Sequence, residues 1–318
     1  MVRVVGGGPA GAAAAIAALR WGEPVEIYEQ SPTPRHKACG DFLPSETVRA
    51  LERLGVLRDC TFARPAQITR VILHIGSCEK RLRLREPAWG LSRHRLDGIL
   101  LDRAAALGAS IIHEHRTPQG KDVDATGRRK PRAPHVNAFK AQFKDATRDT
   151  AELFFFWGGC IGICPVEEGK STVCGLVGES TLRELDYQPD TLLAKRIRPL
   201  ERLTDWILDG PVTASEEIVC PMSGPYLAGD ALATVVPYTG TGVLCALLTG
   251  ELAGLAAARG TTFEQYYRRA EDLLGWHLIA GNALSGGLET GWARILAPLI
   301  PAQWPFRLTR LRDRLPVS

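Results

Sequence analysis

The first eleven residues constrain the fold of this chain more than any other stretch. Met1 to Val5 is a short run of strand-forming residues, and it leads into Gly6-Gly7-Gly8-Pro9-Ala10-Gly11, a G-x-G-x-x-G that opens onto the helix-forming run Ala12 to Leu19. The order predicts strand, tight turn and helix: the first glycine permits the turn, the second admits a pyrophosphate, and the third allows close packing. Because helix N-termini attract anions, the pattern predicts a dinucleotide site.

A second apolar run supports this interpretation. Pro24 to Tyr28 ends at Glu29, 18 positions after Gly11. A carboxylate about 20 residues after the glycine motif is where a ribose ligand is expected, so Glu29 is predicted to bind the ribose. The alternative is a glycine turn that binds nothing and a solvated glutamate. The combination of strand, spacing and acid disfavours that alternative.

Composition limits the remaining classes of protein. The chain has 318 residues, enough for one large or two smaller domains, and its net charge of +4 comes from scattered basic residues, which argues against a nucleic-acid partner. Its eight cysteines form no C-x-x-C pair, so we expect neither disulfides nor a metal site. The nucleotide-binding strand starts at the first residues, which predicts a cytoplasmic protein without a signal peptide. The most apolar stretch, Thr241 to Ala258, contains Glu251, so no spanning helix is expected.

Three later segments carry a family resemblance. Lys37-Ala38-Cys39-Gly40 precedes the helical pattern LPSETVRALERLGV, Gly90 begins GLSRHRLDGILLDRAAALGA, and Leu227-Ala228-Gly229-Asp230-Ala231 precedes a glycine-containing loop and the helix Gly242 to Ala258. With the first motif, these segments resemble the geranylgeranyl-reductase branch of the FAD-dependent oxidoreductases. That branch is related to the aromatic hydroxylases and has the glutathione-reductase type of FAD domain.

The resemblance implies an α/β fold. It comprises a Rossmann-like FAD-binding domain, a second antiparallel-sheet substrate domain and a helical C-terminal tail. The FAD-binding domain is predicted to be discontinuous, over 1–65, 90–135 and 220–262, with the substrate domain over 66–89 and 136–219 and the tail over 263–318. Within these segments, alternation predicts a β-hairpin from Ala66 to Leu84, and Asp190 to Leu208 is predicted to be helical.

The resemblance also implies the cofactor site. Asp230 would bond the ribityl hydroxyls, and the loop before Gly242 would aim helix N-terminal amides at the flavin pyrimidine ring. The residues predicted to bind FAD are Gly6, Gly8, Pro9, Ala10, Gly11, Glu29, Gln30, Lys37, Ala38, Cys39, Arg93, Asp230, Pro237, Gly240, Thr241, Gly242 and Val243. Relatives often carry an acidic or amide residue where this chain has Thr241.

Cys39 is the candidate catalytic residue. The resemblance places its side chain at the flavin, and Lys37 precedes it by two positions. A thiol beside a cation and a helix N-terminus can have a depressed pKa, so Cys39 is predicted to be a proton donor or a flavin-tuning thiolate. The equally weighted alternative is a small packing residue beneath the ring.

Phe155 and Trp157 are the predicted substrate contacts, on a strand of the substrate sheet. Alternation sends half of a strand's side chains away from any cavity, so core packing is the alternative for this aromatic run. A departure from the relatives lies just before the turn Ala125-Thr126-Gly127-Arg128. Only residues 113–122 stand where they have a β-meander, which predicts a more open adenine pocket and a lower FAD affinity.

The expected function is reduction of an apolar unsaturated substrate, isoprenoid-like or polyketide-like, by reduced FAD. A second G-x-G-x-x-G is absent, so NAD(P)H would react transiently or ferredoxin would supply electrons. Flavin-dependent hydroxylation is the first alternative, and a non-catalytic carrier of an apolar ligand is the second. Halogenation is disfavoured because the chain has no W-x-W-x-I-P sequence.

The C-terminal tail suggests a membrane surface. Trp276, Trp292, Trp304 and Phe306 precede the cluster Arg307, Arg310, Arg312 and Arg314, in which Asp313 is the one acidic residue. Aromatic residues near arginines are typical of interfacial helices, so peripheral membrane contact is one prediction. A helix packed on the FAD-binding domain with an arginine-rich outer face is the alternative, and it is preferred.

Overall fold

A computed structural model describes residues 1–127, 136–184, 186–212, 218–221, 223–289, 297–301 and 303–311. Two sheets organise these residues. The first contains five described strands, all parallel, in the order β13-β7-β1-β2-β6. Its strands are β1 (Val2–Val5), β2 (Val25–Tyr28), β6 (Ser110–Ile112), β7 (Val123–Asp124) and β13 (Tyr226–Leu227).

The second sheet is larger and has eight described strands, in the order β12-β8-β11-β10-β9-β4-β5-β3. They are β3 (Phe42–Leu43), β4 (Ala66–Ile75), β5 (Cys78–Gly90), β8 (Val136–Lys144), β9 (Thr150–Phe156), β10 (Gly159–Pro165), β11 (Lys170–Gly178) and β12 (Ile207–Val212).

The described α-helices pack mainly around the parallel sheet and at the end of the chain. They are α1 (Pro9–Arg20), α2 (Ser45–Arg53), α3 (Leu57–Phe62), α4 (Arg93–Ala106), α5 (Glu179–Glu184), α6 (Pro189–Arg196), α7 (Gly242–Arg259), α8 (Phe263–Glu289) and α9 (Gln303–Leu308). The predicted Arg128, Trp292, Arg312 and Arg314 lie outside the described residues, and so does the side chain of Phe306.

Helices α1 and α7 lie unusually close to each other. A Cβ atom at Gly250 would lie 2.1 Å from the carbonyl oxygen of Ala10, and one at Gly254 would lie 2.0 Å from that of Ala14. Only glycine permits such backbone contact, and the alanines of α1 are buried in the same core. The small residues of both helices therefore hold the first turns of α1 against the middle of α7.

The two faces of the second sheet have different environments. Phe139, Ile161 and Val173 point to one face and form a core with α5 and α6, together with Leu182 and Leu192. Pairing places Lys140 opposite Cys174, and Cys174 opposite Gly162, so these residues share the other face. That face is turned toward the loop containing Cys39, because the ammonium group of Lys140 bonds Asp41.

The predicted fold class is confirmed: a Rossmann-type parallel sheet, a second sheet and a helical C-terminal region are present. The second sheet is mixed rather than purely antiparallel, because β4 and β9 pair in parallel. The predicted hairpin is present as β4 and β5. The predicted division of the chain into domain segments stays a prediction.

The predicted helix from Asp190 to Leu208 is wrong over its second half. Helix α6 ends at Arg196, and β12 begins at Ile207 and pairs with β8. Pro199 interrupts the stretch, since proline removes a helical hydrogen bond, and the edge of β8 offers the following residues a strand partner. Tertiary pairing therefore decides this segment.

Candidate FAD and substrate site

A cavity of about 910 Å³ lies between the glycine loop and the second sheet. Most of the predicted cofactor residues line it: Gly6, Gly8, Pro9, Ala10, Glu29, Gln30, Lys37, Ala38, Cys39, Arg93, Asp230, Pro237, Gly240, Gly242 and Val243. Gly11 and Thr241 are not among its lining residues. Segments more than 200 residues apart in the chain therefore meet around one space.

The glycine loop has the geometry that the motif predicts. Gly6 has φ +103°, and a Cβ atom there would lie 2.2 Å from the carbonyl oxygen of Ala125. At Gly11 a Cβ atom would lie 1.8 Å from the carbonyl oxygen of Gly6. Gly8 differs, because its nearest atoms would be Lys37 Nζ at 3.8 Å and Arg93 Nη2 at 3.9 Å. Gly6 and Gly11 thus serve the backbone, while Gly8 faces open space bordered by two cations.

These two cations share one carboxylate. Arg93 binds Asp97 through Nε at 2.7 Å and Nη2 at 3.0 Å, and Lys37 Nζ binds Asp97 Oδ2 at 2.9 Å. Burial alone would raise the pKa of Asp97, but the charges of Arg93 and Lys37 outweigh it and hold that pKa below its usual value. Two cations against one anion leave net positive charge beside the N-terminus of α1, which suits a pyrophosphate.

Glu29 is held against the glycine loop. Its Oε2 accepts a hydrogen bond from the backbone N–H of Gly7 at 2.7 Å, and its Oε1 accepts one from the N–H of Ser31 at 2.9 Å. A Cβ atom at Gly7 would lie 3.0 Å from that of Glu29. Glu29 lines the cavity at the end of β2, so its placement fits a ribose ligand.

The short segment before β7 also lines the cavity. Glu114, His115 and Arg116 border it, and the guanidinium carbon of Arg116 lies 4.7 Å from the centre of the Tyr28 ring. Arg116 also forms an ion pair with Asp122 at 3.3 Å. Residues of the shortened segment thus line the cavity beside the end of β2 and Glu29, and their contact with the adenine stays a prediction. Whether FAD affinity is lowered stays a prediction.

The loop before α7 contributes the other end of the cavity. Gly240 has φ +70° and packs against Phe42, where a Cβ atom would lie 2.7 Å from the ring. Thr241 is buried, and its hydroxyl group bonds His277 Nε2 at 2.7 Å and the hydroxyl group of Thr239 at 2.8 Å. Burial lowers the pKa of His277, which favours the neutral ring. Thr241 therefore anchors the loop to α8, while Gly240 and Gly242 line the cavity.

Cys39 lines the cavity, but the predicted activation of its thiol is wrong. Burial is the main cause that raises its pKa, the charge of Asp41 adds to it, and Arg93 and Lys140 only partly oppose it. Lys37 pairs with Asp97, and Cys39 lies in a loop rather than at a helix N-terminus. The resting side chain is therefore a neutral thiol, which leaves the proton-donor and packing roles open.

The wall of the second sheet carries three more thiols, Cys160, Cys164 and Cys174, and all three line the cavity. Burial raises the pKa of each, to about 12 for Cys160. Ala138, Leu153 and Leu176 are among the aliphatic residues of this wall, and the carboxylate residues Glu152 and Asp209 also line it. The sheet side of the cavity is thus apolar and uncharged apart from paired groups, which suits an apolar ligand.

The sequence patterns did not single out Asp41, Lys140 or Thr172. These residues are almost completely buried, and Asp41 Oδ2 accepts hydrogen bonds from Lys140 Nζ at 2.6 Å and from Thr172 Oγ1 at 2.7 Å. The one available signal was a lysine inside the apolar strand sequence around Phe139 and Ala141, since a fully buried lysine requires a partner.

The predicted substrate residues lie outside the cavity lining. Phe155 shares the cavity face of the sheet and stacks edge-on against Tyr238 at 5.4 Å, and Tyr238 does line the cavity. Trp157 lies in the turn after β9 and is 69% exposed. Their assignment as substrate contacts stays a prediction. Among the described residues, no group of three or more His, Cys, Asp or Glu side chains has the arrangement of a metal site.

Together, the glycine loop, Glu29 and the Asp230 segment fit FAD. Comparison with known families agrees, because residues 1–143 match the family described as "FAD binding domain". Residues 1–143 therefore belong to an FAD-binding domain, and FAD is the cofactor of this fold.

Individual relatives cover different parts of the chain. The menaquinone reductase of Mycolicibacterium smegmatis is 51% identical over 55 residues, which are 17% of this chain and 13% of that protein. A triple mutant of the flavin-dependent brominase Bmp2 has a similar structure, with TM-score 0.79, 18% identity and coverage of 97% and 93% of the two chains. A geranylgeranyl bacteriochlorophyll reductase-like protein of Thermoplasma acidophilum has TM-score 0.68, 18% identity and coverage of 97% and 91%.

Proposed function

We propose that this protein is an FAD-dependent reductase of an apolar, unsaturated substrate such as an isoprenoid chain. The observation that carries the proposal is the cavity of about 910 Å³, in which the FAD-binding loop faces a wall that contains thiols and aliphatic side chains. Bound FAD would supply an electron pair as hydride. The protein would orient the substrate, exclude water and provide the proton. Cys39 is the proposed proton donor, since it is the lining thiol nearest in sequence to Lys37, one of the two cations proposed to bind the phosphates.

The short match to a menaquinone reductase supports an isoprenoid-bearing substrate. The aligned region covers a small part of that enzyme, so the activity of the whole relative is offered here as a proposal. The brominase likeness supports the fold. We propose NAD(P)H or ferredoxin as the source of electrons.

The test is single turnover with chemically reduced protein. We expect FAD-loaded protein, reduced with dithionite without oxygen, to be reoxidised by a polyprenyl naphthoquinone, and the product, after air oxidation of its ring, to be heavier by two hydrogens. The same quinone with a saturated side chain is the control for reduction of the ring alone. Insertion of one oxygen atom in air would instead identify a hydroxylase. Binding of the quinone with no product would identify the carrier.

We also propose that the C-terminal region contacts a membrane surface. Trp276 and Ile279 are exposed on one face of α8, and Leu299 and Trp304 are exposed further along the chain. Arg307, next to the exposed Trp304 face of α9, adds positive charge. Among the described residues, α7 is the one helix that is long and apolar enough to span a bilayer, and 67% of it is buried in the protein.

Sedimentation with vesicles tests this contact. We expect the protein to co-sediment with vesicles containing phosphatidylglycerol and to be released by salt, since each arginine near an anionic surface contributes about 1 kcal/mol. Trp304→Ser should weaken binding, because it removes an exposed aromatic anchor. Trp21→Ser is the matched control, since this exposed indole lies over Arg259, at the opposite end of α7 from the contact with His277. Unchanged sedimentation after removal of residues 301–318 would contradict the proposal.

A further inference from the structure

A buried ion pair lies directly behind the Cys39 loop. Asp41 is fully buried, Lys140 is 1% exposed, and their nearest atoms are 2.6 Å apart. The hydroxyl group of Thr172 donates to the same carboxylate oxygen, and the other oxygen accepts a hydrogen bond from the backbone N–H of Arg93 at 3.1 Å. The carboxylate thus joins the loop to β8, to β11 and to the first residue of α4.

Asp41 also contacts the thiol through its backbone. Its N–H group donates to Cys39 Sγ at 3.4 Å, and its carbonyl oxygen accepts from the N–H of Leu91 at 3.1 Å. Asp41 has φ +56°, in the left-handed region that is unfavourable for a non-glycine residue. The surrounding hydrogen bonds hold this conformation, and it aims the N–H group at the sulfur atom.

Charged groups surround Cys39 from several elements. On its own loop Asp41 is anionic, while the pKa of His36 is lowered by burial and by the charge of Lys140, which favours the neutral ring. Arg93 at the start of α4 and Lys140 on β8 are the cations that favour a Cys39 thiolate.

The other titratable neighbours named for Cys39 are neutral thiols or belong to a closed ion pair. Cys164 on β10 and Cys174 on β11 are thiols whose pKa burial raises, and a Cβ atom at Gly40 would lie 3.4 Å from Cys174 Sγ. The charge of Lys37 is largely offset by Asp97 at 2.9 Å. The charges that favour or oppose a Cys39 thiolate are therefore mainly those of Asp41, Lys140 and Arg93.

We propose that Lys140 and Asp41 are a positioning pair that sets the acidity of Cys39, with Lys140 stabilising the thiolate left after proton donation and Asp41 opposing it. The inference rests on the proposed function. In that reaction the Cys39 S–H bond breaks and the proton forms a new C–H bond at one alkene carbon, while hydride from reduced FAD reaches the other. The thiolate then regains a proton from water, so the net change is addition of two hydrogens.

The test measures the thiol itself, independently of turnover. FAD-loaded full-length protein is treated with methyl methanethiosulfonate at several pH values, and modification of the Cys39 peptide is followed by mass spectrometry. We expect Lys140→Met to slow modification about tenfold or more at pH 8, and Asp41→Asn to accelerate it by a similar factor, since a nearby charge shifts a pKa by about 1 to 3 units. The double variant should react at nearly the parental rate.

Three controls separate electrostatics from loosened packing. Lys140→Arg keeps the charge and should retain the parental rate, and Lys144→Met removes an exposed lysine from the same strand. Cys60, which is fully buried in the core around the parallel sheet, reports global opening. If Lys140→Met and Asp41→Asn change the rate in the same direction, or if Lys140→Met leaves it unchanged, the inference is overturned. If Asp41→Asn does not fold, the Lys140→Met and Lys140→Arg pair decides. The hydrogenation assay is independent of these modification rates. Its failure would contradict the proposed function, whereas the rates test the role of the Lys140 and Asp41 pair.

Discussion

Gly8→Trp is expected to abolish measurable FAD binding while the protein stays folded. The site of a Cβ atom at Gly8 is open, with Lys37 Nζ and Arg93 Nη2 as its nearest atoms at 3.8 and 3.9 Å. An indole there would fill the space between the helix N-terminus and the two cations that a pyrophosphate needs. We expect the Kd for FAD to rise at least about 100-fold, or about 2.7 kcal/mol, as measured by flavin fluorescence titration.

Gly11→Ala provides the contrast. Its Cβ atom would lie 1.8 Å from the backbone oxygen of Gly6, so strand and helix must separate. We expect it to lower the free energy of unfolding by about 1 to 3 kcal/mol, the usual cost of overpacking, before any effect on FAD is considered. Gly275→Ala in α8, where no atom lies within 4 Å of the new group, is the matched control and should bind FAD normally. Normal FAD binding by Gly8→Trp would show that the cavity holds its ligand elsewhere.

Cys39→Ala is expected to leave flavin reduction unchanged and to slow substrate turnover about 100-fold. The loss is at the lower end of the usual range for removing a general acid, and it should appear in kcat rather than in the rate at which dithionite or another donor reduces the flavin. Cys39→Ser keeps the size and a hydroxyl proton but is a weaker acid, so it should remain slow. Stopped-flow absorbance of the flavin separates the two half-reactions.

Cys220→Ala is the matched control, because this thiol is exposed and outside the cavity lining. It should turn over substrate at the parental rate. If Cys39→Ala also does so, Cys39 is a packing residue beneath the ring, and the proton comes from water or from another side chain. Burial raises the pKa of Cys39, so its resting side chain is a neutral thiol. A neutral thiol can donate a proton but cannot act as a resting thiolate.

Local sequence patterns were sufficient to predict the segments that form the FAD-binding side of the cavity. The G-x-G-x-x-G, the acid at Glu29 and the Gly229-Asp230 segment each depend on residues close in sequence, because a tight turn or a helix N-terminus is built within about ten residues. The structure brings these segments to one cavity, with Gly6 and Gly11 in backbone contacts that no other residue permits. The helix α7 also begins at Gly242, as its sequence predicts.

The state of Cys39 and the wall opposite it were decided only by the tertiary structure. Lys37 is two residues from Cys39 in sequence, yet it bonds Asp97, sixty residues away, while the cation that acts on the thiol from the sheet is Lys140, a hundred residues away. Burial and long-range charge fix a pKa, and neither can be read from neighbouring residues. Long-range contact likewise decided Ile207–Val212, which forms β12: the edge of β8, far away in the chain, supplied hydrogen bonds that outweighed the local helical pattern.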